Sequence, residues 1–253
     1  MELKGKTIVV TGGGQGLGRA MAIELAAAGA NLALIDLNEE PLAEAVQLCK
    51  DAGGDARPYM ANVAKEEDEI ATFDAIEADF GEVHGIVNNA GILRDGLLVK
   101  VKDGEMTKMS LAQWQAVIDV NLTGPFLCAR EFATLAARHG VAPACMVNIS
   151  SISRKGNPGQ TNYSAAKAGL VAMTKLWSQE LSRYGIRTGA IAPGPVDTPI
   201  LLQMPEKARE GLSRMVPVGR FADPKEVYSA VKFIFENDFF TGRCLELDGG
   251  MNI

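Results

Sequence analysis

Tyr163 and Lys167 stand four residues apart in the stretch Thr161-Asn162-Tyr163-Ser164-Ala165-Ala166-Lys167. On a helix that spacing puts both side chains on one face. A free phenol, with a pKa of about 10, is a poor base at neutral pH. An ammonium beside it favours the phenolate and lowers that value. Such a phenol can protonate a nascent alkoxide or take the proton of an alcohol. Spacing alone is not specific, because Tyr228 and Lys232 repeat it on a late amphipathic stretch where packing and a solvated lysine suffice. Tyr163 differs in having Ser150 thirteen residues upstream, at the carboxyl end of an apolar run. A hydroxyl there can hydrogen-bond and orient a substrate oxygen. The spacing favours Ser150, and Ser151 takes the part if the intervening loop is shifted by one residue.

A second group of residues reads as a nucleotide cradle. Thr11-Gly12-Gly13-Gly14-Gln15-Gly16-Leu17-Gly18 follows a short apolar run and opens an Ala/Leu-rich stretch. Glycines there let the backbone turn tightly and approach a pyrophosphate, while the helix N-terminus offers amide donors. The spacing is neither Gly-x-Gly-x-x-Gly nor the Gly-Lys-Ser/Thr of a P-loop, which disfavours a nucleotide triphosphatase. Asp36 ends the next apolar run. A carboxylate in that place accepts hydrogen bonds from both adenine-ribose hydroxyls and repels a 2′-phosphate. Leu37, Asn38 and Gln15 bring no cation to offset that repulsion, so NAD is expected rather than NADP.

The elements that must position these residues alternate. Apolar runs predict strands at about Thr7 to Thr11, Asn31 to Asp36, Ala56 to Ala61, Gly85 to Asn88, Cys145 to Ile149, Thr188 to Ala192 and Cys244 to Leu247. Helices are expected from the glycine turn to about Ala28, and over about Glu39 to Ala52, Lys65 to Phe80, Leu111 to Arg138, Thr161 to Tyr184 and Pro224 to Glu236. Repeated strand–helix–strand units imply one α/β domain over residues 1–253, a doubly wound Rossmann fold whose parallel sheet of about seven strands has helices on both faces. Ligands of such sheets bind beyond the carboxyl ends of the strands. Residues 97–109 break the rhythm, alternating apolar and polar side chains around Asp103-Gly104, and predict a hairpin insertion. It reads as a surface excursion, a subunit contact or a flap beside the substrate.

Composition removes other function classes. The chain of 253 residues has a formal net charge of −6, which opposes binding to nucleic acid and to anionic membranes. No apolar run approaches the roughly 20 residues of a membrane span. Met1-Glu2-Leu3-Lys4-Gly5-Lys6 lacks the pattern of a signal peptide. Cys49, Cys128, Cys145 and Cys244 are scattered, as expected for reduced thiols of a cytoplasmic protein. With only His84 and His139 besides, no metal site is expected.

Thr11-Gly12-x-x-x-Gly16-x-Gly18, Asn88-Asn89-Ala90-Gly91, Asn121, Ser150, Tyr163-x-x-x-Lys167 and Pro193-Gly194-Pro195-Val196-Asp197-Thr198 follow one another along the chain. Their order and approximate spacing resemble the classical subgroup of the short-chain dehydrogenase/reductase family, almost end to end. The resemblance implies a nicotinamide cofactor, hydride exchange with a carbonyl or alcohol carbon, and a catalytic set of Asn121, Ser150, Tyr163 and Lys167. It implies that Gly12, Gln15, Gly16, Leu17 and Gly18 hold the pyrophosphate, and that Asp36 and Leu37 lie at the adenine ribose. Asn62 and Val63 would meet adenine, Asn89, Ala90 and Gly91 would shape the cleft, and Pro193, Gly194, Val196 and Thr198 would receive the carboxamide. Asn62 stands where the family more often has Asp, and its amide oxygen can still accept the adenine amino group. Lys167 would also hold the nicotinamide ribose, and Asn121 a water relaying protons to Lys167. Members of this length are usually homotetramers, with the Asn121 and Tyr163 helices between subunits.

For the substrate, the 199–217 region, Ile200-Leu201-Leu202-Gln203-Met204-Pro205 through Met215, is expected to cover the pocket with Ile152, Ser153, Arg154, Leu93 and the hairpin. Within the family the pattern is nearest the β-ketoacyl carrier-protein reductases, through Ile92-Leu93-Arg94-Asp95, Asn157-Pro158-Gly159-Gln160-Thr161-Asn162-Tyr163 and Asp248-Gly249-Gly250. Those usually use NADPH, which Asp36 opposes. An NAD-dependent secondary-alcohol dehydrogenase or ketoreductase therefore ranks first, and an NADPH-dependent β-ketoacyl-carrier-protein reductase second. Arg138 and Arg183 could meet an acidic carrier protein. A non-catalytic NAD-binding regulator would keep the glycine turn and Asp36 without needing the Ser/Tyr/Lys/Asn set.

Overall fold

The structure is a computed structural model that describes residues 1–202 and 206–251. Its strands are β1 (Thr7–Thr11), β2 (Asn31–Asp36), β3 (Ala56–Met60), β4 (Gly85–Asn88), β5 (Val99–Lys102), β6 (Glu105–Lys108), β7 (Ala144–Ile149), β8 (Ile186–Pro193) and β9 (Arg243–Leu247). Its helices are α1 (Gly16–Ala27), α2 (Glu39–Asp51), α3 (Glu66–Phe80), α4 (Leu111–Ile118), α5 (Gly124–His139), α6 (Thr161–Glu180), α7 (Pro199–Leu202), α8 (Glu206–Arg214) and α9 (Pro224–Glu236). Seven strands form one parallel sheet in the order β3-β2-β1-β4-β7-β8-β9. This is the single Rossmann-type α/β domain expected from the sequence.

The inner strands are predominantly apolar because both faces of the sheet are covered. Alternation sends Ile8, Val10, Leu32 and Leu34 to one core, shared with Met21 and Leu25 of α1 and Val231 and Phe235 of α9. It sends Val9, Ala33, Ile35, Ile86 and Met146 to the other, against Phe73 and Ile76 of α3 and Phe132 and Leu135 of α5. Full burial of each Val, Leu, Ile, Phe or Met among them contributes roughly 1.5–3 kcal/mol. Between β1 and β4 the strand order reverses, which opens a crevice at their carboxyl ends.

Three elements differ from the expected outline. The long helix expected from Leu111 is interrupted by a π turn over Asp119–Thr123. Gly124 and Pro125 explain the break. A Cβ at Gly124 would lie 2.9 Å from Val63 Cγ2, and Pro125, in the first turn of α5, has no N–H to continue the ladder. The Tyr163 helix ends at Glu180 and passes through a 3₁₀ turn, Ser182–Tyr184, to Gly185 at φ +70. The 199–217 region, expected only as a covering loop, carries α7 and α8, while Gln203, Met204 and Pro205 lie outside the described residues.

The hairpin forms as expected. β5 pairs antiparallel with β6, and the turn takes Asp103 at φ 51 and Gly104 at φ 81, the positive angles a two-residue turn of this kind requires. Its strands are exposed along their whole length.

Candidate active site

The glycine turn and the Asn-Asn-Ala-Gly loop hold each other at the crevice. Thr11 Oγ1 accepts the N–H groups of Asn89 and Ala90, each at 3.0 Å, and Asn89 Nδ2 donates to Thr11 O at 3.0 Å. Gly12 has φ +63, and a Cβ on it would come within 2.9 Å of Ala90 Cα. A Cβ on Gly18 would overlap the Gly12 carbonyl. α1 starts at Gly16 with no side-chain cap from Gln15 and no acid in its first turn. Its first amides and positive dipole end are thus left for an anion, which fits a pyrophosphate.

Asp36 ends β2 beside this turn. Its Oδ2 accepts the Gly14 N–H at 3.0 Å, and its Oδ1 accepts the Asn38 N–H at 3.1 Å. Leu37 is exposed at the rim. Sequence reasoning placed no cation here and missed Arg19, which donates from Nε to Gly14 O at 2.7 Å. Helical side chains point back toward the N-terminus, so a residue in the first turn of α1 reaches the glycine loop. The charge is matched, since Arg19 Nη1 lies 3.0 Å from Glu44 Oε2. Asn62 Oδ1 accepts the Ala64 N–H at 3.1 Å, and its main-chain N–H donates to Asp68 at 3.0 Å. Val63, next to it, is buried.

Across the crevice, β7 delivers two serines and α6 the tyrosine and lysine. Lys167 is buried, and its Nζ donates to Ile149 O at 2.8 Å and lies 5.6 Å from the centre of the Tyr163 ring. The two candidate serines are bonded differently. Ser150 still belongs to the sheet ladder, with its N–H on Ile191 O at 2.7 Å, and its buried Oγ donates to Lys167 O at 2.8 Å. Side chains alternate along a strand, so the next residue faces the other way. Ser151 is the serine whose hydrogen bonding pulls the Tyr163 phenol down, and its Oγ accepts the Ser153 N–H at 3.1 Å.

Asn121 sits in the π turn, fully buried, exchanging two hydrogen bonds of 2.8 Å with the Ile92 main chain. Its side chain therefore fixes the loop after β4. Gly91 fills the space between: a Cβ there would stand 2.6 Å from Asn121 Oδ1 and 3.7 Å from Lys167 Nζ. A buried polar chain also went unforeseen. Asn88 Nδ2 donates to Asn148 Oδ1, and Asn148 Nδ2 to Thr174 Oγ1, both at 2.8 Å. The visible signal was an asparagine near the end of two neighbouring apolar runs.

The remaining wall is the segment after β8. Gly194 N–H donates to Leu247 O at 2.9 Å, and Pro193 ends the strand beside it. Val196 is buried and bridges to Ala222, and Thr198 is half-buried. Of the expected substrate wall, Ile152 packs with Val216 and Met251, and Leu93 is exposed. Arg154 instead pairs with Glu246 at 2.6 Å.

Electrostatics here is set by burial. Burial pushes the Tyr163 phenol up, the Ser151 hydrogen bond pulls it down, and the charge of Asp95 raises it further. Burial lowers Lys167 from 10.5 to about 8. Among the described residues no cluster of His, Cys, Asp or Glu could hold a metal ion, and no helix is long and apolar enough to cross a membrane.

Residues 12–252 match the family model described as Enoyl-(Acyl carrier protein) reductase. The 3-oxoacyl-[acyl-carrier-protein] reductase FabG of Thermotoga maritima is 37% identical over 258 residues, covering 100% of both chains. The (3R)-3-hydroxyacyl-CoA dehydrogenase of Rattus norvegicus is 34% identical over 262 residues, covering 99% of this chain and 98% of the relative. A crystal structure from Agrobacterium tumefaciens named for gluconate dehydrogenase superposes with a TM-score of 0.89 at 31% identity, covering 99% of this chain and 97% of that one. Glycine turn, parallel sheet and end-to-end similarity agree: the chain belongs to the short-chain dehydrogenase/reductase family of oxidoreductases, and resembles its β-ketoacyl carrier-protein reductase-like members.

Proposed function

We propose that the chain exchanges hydride between NAD(H) and a secondary alcohol or ketone, with Tyr163 as the acid–base residue. The observation that carries this reading is the convergence of Tyr163, Lys167 and Ser151 at the strand ends facing the glycine turn. When bound, the nicotinamide supplies the carbon that accepts or returns hydride. Gly12, Gln15, Gly16, Leu17 and Gly18 would hold the pyrophosphate, Asp36 and Leu37 the adenine ribose, and Asn62 and Val63 the adenine. Asn89, Ala90 and Gly91 would line the cleft, and Pro193, Gly194, Val196 and Thr198 would receive the carboxamide. In the oxidation direction the Tyr163 phenolate takes the alcohol proton as hydride leaves the carbinol carbon; in reduction the phenol returns it to the forming alkoxide. Ser151 donates to the substrate oxygen in place of the expected Ser150. Lys167 holds the cofactor ribose, and its positive charge favours phenolate. Asn121 fixes the Gly91-Ile92 loop against this group. The two serines, the tyrosine and the lysine are in excess of what a non-catalytic NAD-binding regulator needs.

Asp36 supports NAD because its carboxylate stands at the end of β2 against Gly14 of the glycine turn, where it would repel a 2′-phosphate, while the nearby Arg19 is matched by Glu44. Initial rates with NADH and NADPH over a panel of ketones, 3-oxoacyl thioesters included, test the assignment: NADH preference is expected, and NADPH preference defeats it. The second reading, an NADPH-dependent β-ketoacyl-carrier-protein reductase, is favoured by the names of the relatives. A homotetramer, a small-molecule substrate and a cytoplasmic location complete the proposal. Exposed Phe126, Leu176 and Tyr184 on and just after α5 and α6 support the homotetramer, and the free state of the four cysteines is consistent with the location.

A further inference from the structure

Asn162 immediately precedes Tyr163 and is 0% exposed. Its Oδ1 accepts the Tyr163 N–H at 2.8 Å. Its Nδ2 donates to Arg94 O and to Gln113 O, both at 3.1 Å. One amide therefore joins three segments: the loop leaving β4, the first turn of α4 and the first turn of α6. Arg94 lies just before the hairpin and Gln113 just after it, so both hairpin roots are gripped. Flanking bonds run the same way, with Gly96 N–H on Gly159 O at 2.8 Å and Gln160 Nε2 on Asp95 Oδ2 at 3.0 Å.

Helix formation alone does not call for this arrangement. The Tyr163 N–H, in the first turn, has no intrahelical acceptor, and Asn is a weaker helix former than Ala. A buried amide with both donors and its acceptor engaged fixes geometry instead. Lys167 is anchored separately, through Nζ on Ile149 O and its carbonyl on Ser150 Oγ. Tyr163 and Lys167 are thus held by different attachments, and the distance between their functional ends depends on both.

We propose that Asn162 is a positioning residue for Tyr163, locking the phenol to the hairpin roots so that it stays in register with Lys167 and Ser151. This rests on the acid–base reading of Tyr163. Without the clamp, the first turn of α6 slackens while the lysine and the dinucleotide cradle stay in place. The phenolate then loses part of its stabilisation.

The test uses Asn162→Ala and Asn162→Asp in the full chain, with Tyr163→Phe as reference. The aspartate is isosteric and keeps an acceptor for the Tyr163 N–H, but loses both donors. The readouts are melting temperature, NADH affinity by nicotinamide fluorescence, and the pH profile of kcat for the best secondary alcohol of the panel. In both variants NADH affinity should stay within about twofold, kcat fall by about tenfold or more, and the apparent pKa governing kcat rise by about one unit. A folded variant with wild-type kcat and pH profile overturns the inference, whatever its melting temperature. Failure of both variants to fold also overturns it, by assigning Asn162 to stability. Retained turnover in Tyr163→Phe removes the acid–base reading itself, independently of Asn162.

Discussion

Ser150 and Ser151 show what residue-level reading can and cannot reach. Counting thirteen residues back from Tyr163 selects Ser150, but orientation depends on where the β7 ladder ends, and Ser150 N–H is still bonded to Ile191 O. The two serines therefore separate experimentally. Ser151→Ala should lower kcat by about 10²–10³, as for loss of one donor to a developing oxyanion. Ser150→Ala should spare most turnover and cost about 1 kcal/mol of stability by freeing the Lys167 carbonyl. The reverse ranking in steady-state kinetics would restore Ser150. Lys167 carries a second expectation. Its pKa falls from 10.5 to about 8 on folding, so the folded chain disfavours the ammonium, and stability should climb with pH between those values. Lys167→Met should accordingly raise stability at neutral pH, by at most about 3 kcal/mol, while turnover is lost. A denaturation midpoint that drops instead would show that the ammonium is well compensated. Tyr163, Lys167, Asp36 and the glycines were legible because their types and spacing carry the chemistry. Arg19, Asn148 and Asn162 were not, because their roles arise from contacts between segments distant in sequence.

At the scale of elements, the strands of the sheet were legible because burial on both faces leaves predominantly apolar runs. The Asp103-Gly104 hairpin was legible from its alternation. The π turn was legible only in part: Pro125 marks a break in the helical ladder, but the form of that break also reflects Gly124 packing on Val63, a contact distant in sequence. Hairpin residues 99–108 are exposed, so replacing them by a tight turn while keeping Arg94 and Gln113 should change stability by no more than about 0.5 kcal/mol in chemical denaturation. A larger loss would mean that the hairpin packs on the body or on a subunit. The α3–α5 contact contains a buried acid: Glu69 accepts a hydrogen bond from Cys128 Sγ at 3.1 Å, and burial raises its pKa from 4.5 to about 7. The folded chain holds that proton more tightly than the unfolded one. Its contribution is present below pH 4.5 and lost as pH rises through 7. Glu69→Gln should flatten the pH dependence of stability across that window, and an unchanged slope would place the titration elsewhere.

For the whole molecule, the parallel sheet brings the ends of β1, β2, β3, β4, β7 and β8 to one rim, where the glycine turn, Asp36, Asn62, the Asn-Asn-Ala-Gly loop, the two serines and the segment after β8 all lie. This arrangement makes cofactor choice a local property: Asp36→Ala should raise kcat/KM with NADPH relative to NADH, because the repelling carboxylate is gone. No change in that ratio would remove Asp36 as the discriminator. Native mass measurement should give four copies, and a monomer would leave the outer faces of α5 and α6 without the proposed partner. The most direct test of the account is Tyr163→Phe, read by NADH binding and by oxidation of NADH in the presence of ketone. Binding within about twofold of the unaltered chain, with kcat reduced by about 10²–10⁴, is the predicted result. Undiminished kcat would contradict it.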